Sequence, residues 1–175
     1  MIKKQATQIG NPIIRKKSKR VDKISSKFIQ AIIKDLVNSM RFHELVGMAA
    51  PQIGLDLRIF VTEIRKTKTR KSIEKDPLRV YINPHIVSFS REKSVGYEGC
   101  GSVASSQLFG LVKRAQRVSV KAQNEQGEYF SLNAKGLLAR VIQHELDHLD
   151  GIVFLDKVTD TKKLMDREEY FKRMR

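Results

Sequence analysis

Hydrophobic residues recur at steps of three and four between residues 25 and 43 of the chain. This spacing predicts an amphipathic helix, because residues three and four apart lie on one face of a helix. Ser25 or Ser26 is expected to cap its N-terminus, and the helix is expected to reach about His43. We expect all of its apolar side chains to pack in the core: Phe28, Ile29, Ile32, Ile33, Leu36, Val37 and Met40.

Short apolar stretches in the middle of the chain predict β-strands. The expected strands are 57–64, 80–82, 86–90, 112–114, 118–122 and 129–132. Asn83-Pro84 is expected to end the second of them, and Gln126-Gly127 to form a hairpin turn. Because strands fill the middle and helices the two ends, the pattern predicts an α+β fold, with residues 1–175 forming a single domain. A mixed-charge helix is expected from about Lys162 to Arg175.

A further helix is predicted over residues 134–149, ended by Gly151. It contains the sequence Gln-His-Glu-Leu-Asp-His-Leu at positions 143–149. His144 and His148 are four residues apart, so they lie on one helix face, separated by roughly 6 Å of rise. This arrangement suits two imidazoles that bind one metal ion.

Glu145 follows the first histidine, where it can reach water at the metal without being a ligand. The pattern His-Glu-x-x-His is typical of metal-assisted hydrolysis. The alternative is a pair of surface histidines on an ordinary helix. Of the other histidines, His43 has glycine at position 47 instead of a second histidine, so we interpret it as solvated or capping, and His85 as structural or exposed.

Cys100 is the strongest candidate for a third metal ligand. No histidine follows His148, and Glu168 and Glu169 lie in a charged tail. Cys100 is the only cysteine and is flanked by glycines, and a thiolate is a strong ligand for transition metals. Three protein ligands leave one coordination position open, as in a catalytic site. The alternative is a buried, unreactive cysteine.

Residues 46–54 combine small side chains with one strongly polar residue, Gln52. Two glycines, two alanines and a proline allow a ligand to approach the backbone closely. A structural turn with Gln52 exposed is the alternative.

Composition narrows the class of protein. A single cysteine excludes an internal disulfide and fits a reducing compartment. We expect no secretory signal, no membrane span, a cytoplasmic location and a monomer. The net charge of +15 favours a polyanionic partner, most simply RNA, through a general electrostatic attraction.

Three segments resemble motifs of the peptide deformylase family. They are Leu45–Gln52, Glu98–Ser102 and Gln143–His148, in the family's order, and the third matches without a substitution. Ile9–Pro12 is similar to the family's start, and Gly151–Lys157 to the segment after its metal helix. The resemblance implies small mixed or antiparallel sheets packed around a central metal-binding helix. It also implies hydrolysis of the N-formyl group from the initiator methionine of nascent peptides, with release of formate.

The resemblance assigns a role to each site residue. Cys100, His144 and His148 would hold one ion per chain, usually Fe²⁺, with Zn²⁺, Ni²⁺ or Co²⁺ as replacements. Glu145 would move the proton, and Gln52 with the backbone N–H of Gly101 would stabilise the oxyanion. The expected substrate-binding residues are Val46, Gly47, Glu98, Leu137 and Val141.

Four positions depart from the family pattern: Leu45, Met48, Gly101 and Ala104. The first motif usually begins with glycine, where this chain has Leu45, and the second usually has leucine where it has Gly101. These variants resemble organellar-type members. They leave two alternatives open: a protein of low activity that binds the ribosome through its basic surface, including the C-terminal lysines and arginines, or a hydrolase for a larger N-acyl group.

Overall fold

The computed structural model describes residues 5–67 and 74–173. Within these residues, the helices are α1 (Lys27–Phe42), α2 (Gly136–Leu149) and α3 (Arg167–Arg173). The strands are β1 (Gly47–Ala49), β2 (Ile59–Ile64), β3 (Asp76–Phe89), β4 (Lys93–Gly99), β5 (Leu108–Ala115), β6 (Arg117–Gln123), β7 (Tyr129–Lys135) and β8 (Met165–Asp166). Short 3₁₀ turns cover Pro12–Arg15, Ala50–Ile53, Ala104–Ser106, Phe154–Lys157 and Thr161–Lys163.

The strands form two antiparallel sheets. The larger sheet has the order β1-β2-β3-β6-β7, and the smaller has the order β4-β5-β8. Gln126-Gly127 lies in the hairpin between β6 and β7, as predicted, and Gly127 has a φ of +88°. The predicted α+β fold with antiparallel sheets is therefore confirmed.

Both faces of the larger sheet are covered by helices. Leu36 of α1 belongs to one core cluster with Val61 of β2, whereas Ile142 of α2 belongs to a second cluster with Phe60. Successive residues of a strand point to opposite faces, so Phe60 and Val61 pack against different helices. This places α2, with its two histidines, beneath the sheet and beside β5.

The ends of α1 and α2 follow the predicted signals. The side chain of Ser26 accepts a hydrogen bond from the Ile29 N–H at 3.3 Å and caps α1. After α2, Gly151 adopts a left-handed φ of +75°, and a side chain there would collide with the backbone of Arg15. The chain can therefore turn sharply after the helix only with glycine at this position.

Asn83-Pro84 does not end a strand, so the prediction of two separate strands over residues 80–90 is wrong. β3 continues through both residues with a shift in register towards β6. Asn83 has a φ of +52°, and its side chain accepts from the Val21 N–H at 2.8 Å and donates to the Val21 carbonyl at 2.9 Å. These bonds stabilise a bulge where the sequence indicated a break.

Two further expectations are wrong. Phe28 lies in the first turn of α1 and is 64% exposed, outside the core cluster that contains the rest of the apolar face. The C-terminal segment is not one helix from Lys162: a 3₁₀ turn and β8 precede α3, because Met165 pairs with Phe109 of β5. Residues 174 and 175 of the predicted helix lie outside the described part.

Candidate metal centre

Cys100, His144 and His148 come together as the sequence predicts. One ligand atom from each lies within 4.8 Å of the other two. The Cys100 Sγ is 3.1 Å from the Nε2 of His148. Cys100 follows the last residue of β4, and the two histidines lie one turn apart on α2, so the site is held between the smaller sheet and the central helix.

The surroundings of Cys100 favour its thiolate form. The Ser102 N–H donates to Sγ at 3.3 Å, and the Gln52 side-chain amide donates at 3.6 Å. Burial alone would raise the pKa of the thiol, but His148 and His144 outweigh it and hold that pKa well below its usual value. The thiolate is the form that binds metal.

The amide of Gln52 is fixed in one orientation. Its Oε1 accepts a hydrogen bond from the Ala49 N–H at 2.7 Å, so its Nε2 faces the sulfur of Cys100. The backbone carbonyl of Gln52 accepts from the Thr7 N–H at 2.8 Å. Gln52 is 1% exposed, which excludes the alternative of an exposed turn residue.

Glu145 is a buried carboxylate beside the three candidate ligands. It is 4% exposed, and its Oε2 has no hydrogen-bond partner among the described residues. Burial raises the pKa of Glu145 to about 7, although His144 and His148 act in the opposite direction. Such a group can both accept and donate a proton near neutral pH. A side chain at Gly47 would come within 2.5 Å of its Oε1, so glycine there makes room for it.

A buried charge network orients His144. Glu98 Oε2 is 3.0 Å from the Nδ1 of His144, which leaves Nε2 available for a metal. Arg114 donates to both oxygens of Glu98, at 3.0 and 2.9 Å, and to Asp147 at 2.5 Å. Burial alone would raise the pKa of Glu98, but the bonds from His144 and Arg114 outweigh it and lower that pKa below its usual range. Carboxylate partners of this kind fix the orientation of metal-binding histidines.

The donor set fits a transition metal. In a tetrahedral site with one thiolate and imidazole nitrogens, the ligand atoms lie about 3.5 Å apart. The observed cluster is compatible with such a site, because its three donor atoms are already neighbours. The buried carboxylate of Glu145 also lies beside them without being part of the set.

Cys100 and His144 line one wall of a cleft of about 170 Å³. Every predicted site residue except His148, which is 1% exposed, borders this cleft. The predicted residues at its walls are Val46, Gly47, Gln52, Glu98, Cys100, Gly101, Leu137, Val141, His144 and Glu145.

Comparison with known proteins agrees with this geometry. The family model described as polypeptide deformylase matches residues 3–164. The chain belongs to this family. It is 41% identical over 161 residues to the peptide deformylase of Dictyoglomus turgidum, covering 92% of this chain and 96% of that relative. With the enzyme of Pseudothermotoga lettingae it shares 39% identity over 166 residues, covering 95% and 89% of the two chains.

Solved peptide deformylases have the same fold. A class I type b enzyme from Acinetobacter baumannii, with the compound K4U bound, superposes with a TM-score of 0.86 at 30% identity and covers 91% of this chain and 100% of its own. The Thermotoga maritima enzyme superposes with a TM-score of 0.80 at 32% identity, covering 91% and 100%. The predicted family and the predicted class of enzyme, a deformylating hydrolase, are confirmed. The resemblance to organellar-type members stays a prediction.

Sequence reasoning missed several residues of the deformylase cleft and of the buried charge network around Glu98. Arg114 stood at the end of a predicted strand, and its 4% exposure could not be read from its charge. The C-terminal segment contributes Arg167, Tyr170 and Phe171 to the cleft wall, and Tyr170 stacks on Phe109 with centroids 4.2 Å apart. In the sequence, only the aromatic residues of the C-terminal segment indicated that it packs against the rest of the protein.

Among residues 5–67 and 74–173, no helix has the length and apolar character needed to cross a bilayer.

Proposed function

We propose that this chain removes the N-formyl group from the initiator methionine of nascent peptides and releases formate. The observation that carries the proposal is the buried Glu145 at a cleft beside three converging donor atoms, with an Oε2 that has no hydrogen-bond partner in the described part of the chain. A solved relative from Acinetobacter baumannii, at a TM-score of 0.85, 30% identity and 90% coverage of this chain and 99% of its own, contains bound Met-Ala-Ser. That peptide supports a methionyl substrate for this chain.

Water attacks the formyl carbon in the proposed reaction. A cation held by Cys100, His144 and His148 would lower the pKa of that water and polarise the formyl oxygen. Glu145 accepts the proton that water loses and returns it to the amine nitrogen as the carbon–nitrogen bond breaks. The products are formate and a free amine.

Two donors of this chain would stabilise the negative oxygen of the tetrahedral intermediate. They are the Nε2 of Gln52 and the backbone N–H of Gly101. Gln52 is suited to this role because its Oε1 is tied to Ala49 and the donor end faces the cleft. Donors that are already oriented cost no reorganisation during the reaction.

The methionine side chain would lie against Val46, Leu137 and Val141, which are apolar and line the cleft. Gly47 would offer backbone hydrogen bonds to the peptide. Glu98 borders the same cleft, but both of its oxygens already bond to neighbouring side chains. Its contribution to the methionine pocket is therefore steric, and its charge serves His144.

We propose Fe²⁺ as the resident ion, one per chain, because the family implies it. One thiolate and two imidazoles also suit Zn²⁺, Ni²⁺ and Co²⁺. Anaerobic purification followed by metal analysis tests this choice.

The test of the proposed function is formate release from formyl-Met-Ala-Ser by metal-loaded protein. We expect turnover by the wild type and a loss of about 10²–10⁴-fold in Glu145→Gln, with the metal retained, because general acid–base catalysis contributes a factor of that size. Wild-type protein that binds one ion and releases no formate would refute the proposal.

A contact with ribosomal RNA is the second part of the proposal, and it rests on charge. The net charge is +15, and the exposed residues of the C-terminal segment include Lys162, Lys163, Lys172 and Arg173. Lys163 lies 3.6 Å from Asp160 and Lys172 lies 2.6 Å from Glu169, so these two are partly neutralised. Lys162 and Arg173 are the better candidates.

Charge reversal tests this contact better than truncation, because Tyr170 belongs to the cleft wall. Lys162→Glu with Arg173→Glu should weaken salt-dependent co-sedimentation with ribosomes. The matched control is Lys121→Glu with Lys135→Glu, which makes the same charge change at exposed positions of β6 and β7. Equal losses in both variants would mean a general electrostatic attraction with no specific surface.

We also propose that residues 1–175 act as one catalytic domain and as a monomer. The single domain is supported by α2, which carries His144 and His148, packs against the larger sheet and also contacts β5 of the smaller sheet. The cytoplasmic location predicted from the sequence stays a prediction.

A further inference from the structure

Gly101 lies in ordinary backbone space, so its lack of a side chain needs another explanation. Its φ is not positive, so the backbone conformation at this position is one that residues with a side chain also adopt. A Cβ at position 101 would lie 3.2 Å from the Cδ1 of Leu45 and 3.4 Å from the Cβ of Ala6. The first distance is tighter than an ordinary van der Waals contact, so Leu45 would have to shift by a few tenths of an ångström even for a Cβ at 101.

The backbone of Leu45 is fixed by two hydrogen bonds. Its N–H donates to the Met40 carbonyl at 2.9 Å, and its carbonyl accepts from the Nη2 of Arg65 at 3.2 Å. Its side chain is partly buried against the core cluster that includes Met40 and Met48. A larger residue at 101 would therefore displace the backbone of the Cys100 loop or disturb the packing of Leu45.

Leu45 and Gly101 border the same cleft as Cys100 and Glu145. Leu45 comes from the segment just before β1, and Gly101 comes from the loop after β4, so the two residues face each other from different parts of the chain. A side chain at position 101 would therefore meet Leu45 at the cleft, next to Cys100.

We infer that Leu45 and Gly101 act as one coupled position of the substrate cleft, in which Leu45 supplies the apolar wall and Gly101 provides the space for it. The inference rests on the proposed function for its role in substrate binding. The departures from the family pattern at these two positions compensate each other. The volume freed at Gly101 is filled, and the cleft is not widened there for a larger acyl group.

A double-mutant cycle in metal-loaded protein tests the coupling. Leu45→Ala should raise KM for formyl-Met-Ala-Ser severalfold with little change in kcat, because it removes an apolar contact from substrate and transition state alike. Gly101→Leu alone should lower kcat/KM by about tenfold or more through the clash, since overpacking shifts backbone. The double variant should recover to within about threefold of the wild type, because contacting residues show strongly non-additive effects.

The matched control is a second cycle in which Leu137, instead of Leu45, is changed to alanine. Leu137 lines the cleft but is not among the nearest neighbours of a Cβ at 101. Leu137→Ala combined with Gly101→Leu should show additive losses. Additive losses in the Leu45 cycle as well would overturn the inference.

The melting temperature of the same variants provides a readout that does not require activity. Gly101→Leu should melt below the wild type, and the added Leu45→Ala change should restore most of the difference. Failure of wild-type formate release would refute the proposed function alone. A double variant that melts no higher than Gly101→Leu would refute the coupling alone.

Discussion

Replacing Arg114 by methionine removes the centre of the buried charge network while keeping an unbranched side chain of similar length. Arg114 is 4% exposed and donates three hydrogen bonds, two to Glu98 and one to Asp147. Removing one partner of a buried ion pair costs about 3–5 kcal/mol, because the remaining charge stays buried. Glu98 and Asp147 keep bonds from Arg140 and Lys157, at 2.8 and 2.9 Å, so we expect the lower end, about 3 kcal/mol.

The assay is urea unfolding, with Arg117→Met as the matched control. Arg117 also forms a 2.9 Å ion pair, with Glu92, but the side chains are 64% and 59% exposed. Exposed pairs contribute about 0–1 kcal/mol, so this control should unfold close to the wild type. If Arg114→Met lost no more free energy of unfolding than Arg117→Met, the network would have no structural role.

Two further measurements follow from the position of Glu98. Because Glu98 orients His144, Arg114→Met should weaken metal binding by about 10–100-fold in a chelator competition. The folded pKa of Glu98 lies below its ordinary value of 4.5. A carboxyl group whose pKa is lowered by folding stabilises the fold at pH values above its ordinary pKa. This contribution disappears as the pH falls. The stability difference between wild type and variant should therefore narrow below pH 4.5.

Two other predictions concern Glu145. A Cβ in Gly47→Ala would lie 2.5 Å from the Glu145 Oε1 and 2.7 Å from Val141, so the carboxylate must move. Because misplacing a catalytic group by about 1 Å can lower the rate about 10²-fold, we expect formate release to fall about 100-fold with metal content unchanged. Activity within threefold of the wild type would contradict this. In chelator-treated protein, Glu145→Gln should increase the free energy of unfolding above pH 7. The pKa of Glu145 is about 7 in the folded protein and ordinarily 4.5, so its charged form destabilises the fold by about 3 kcal/mol. This gain should fade as the pH falls through 7 towards 4.5 in urea titrations, and a gain independent of pH would contradict the assignment.

Much of the metal site follows from local sequence rules. His144 and His148 share a face because they are four residues apart on a helix, and Gly151 ends that helix. Cys100 is predictable as a ligand because no histidine follows His148, and the family resemblance points to the same residue. Helix α1 is equally predictable from the sequence, because the spacing of its apolar residues is regular over several turns.

The remainder depends on contacts between distant segments. β4 was not predicted, since its sequence contains two glycines and few apolar residues, and it forms through pairing with β5. Arg114 looks like a surface residue until Glu98 and Asp147 surround it. Leu45 and Gly101 each look like a departure from a motif, and only the fold shows that they share one volume.

We propose that one thiolate and two imidazoles of this protein hold a single ion with one coordination position open. X-ray absorption spectroscopy of cobalt-loaded protein measures the ligand set directly. We predict one ion per chain with one sulfur scatterer at about 2.3 Å and two imidazole nitrogens at about 2.1 Å, as protein sites of this kind have, and loss of the sulfur signal in Cys100→Ser. A spectrum of the wild type without a sulfur scatterer would contradict the account.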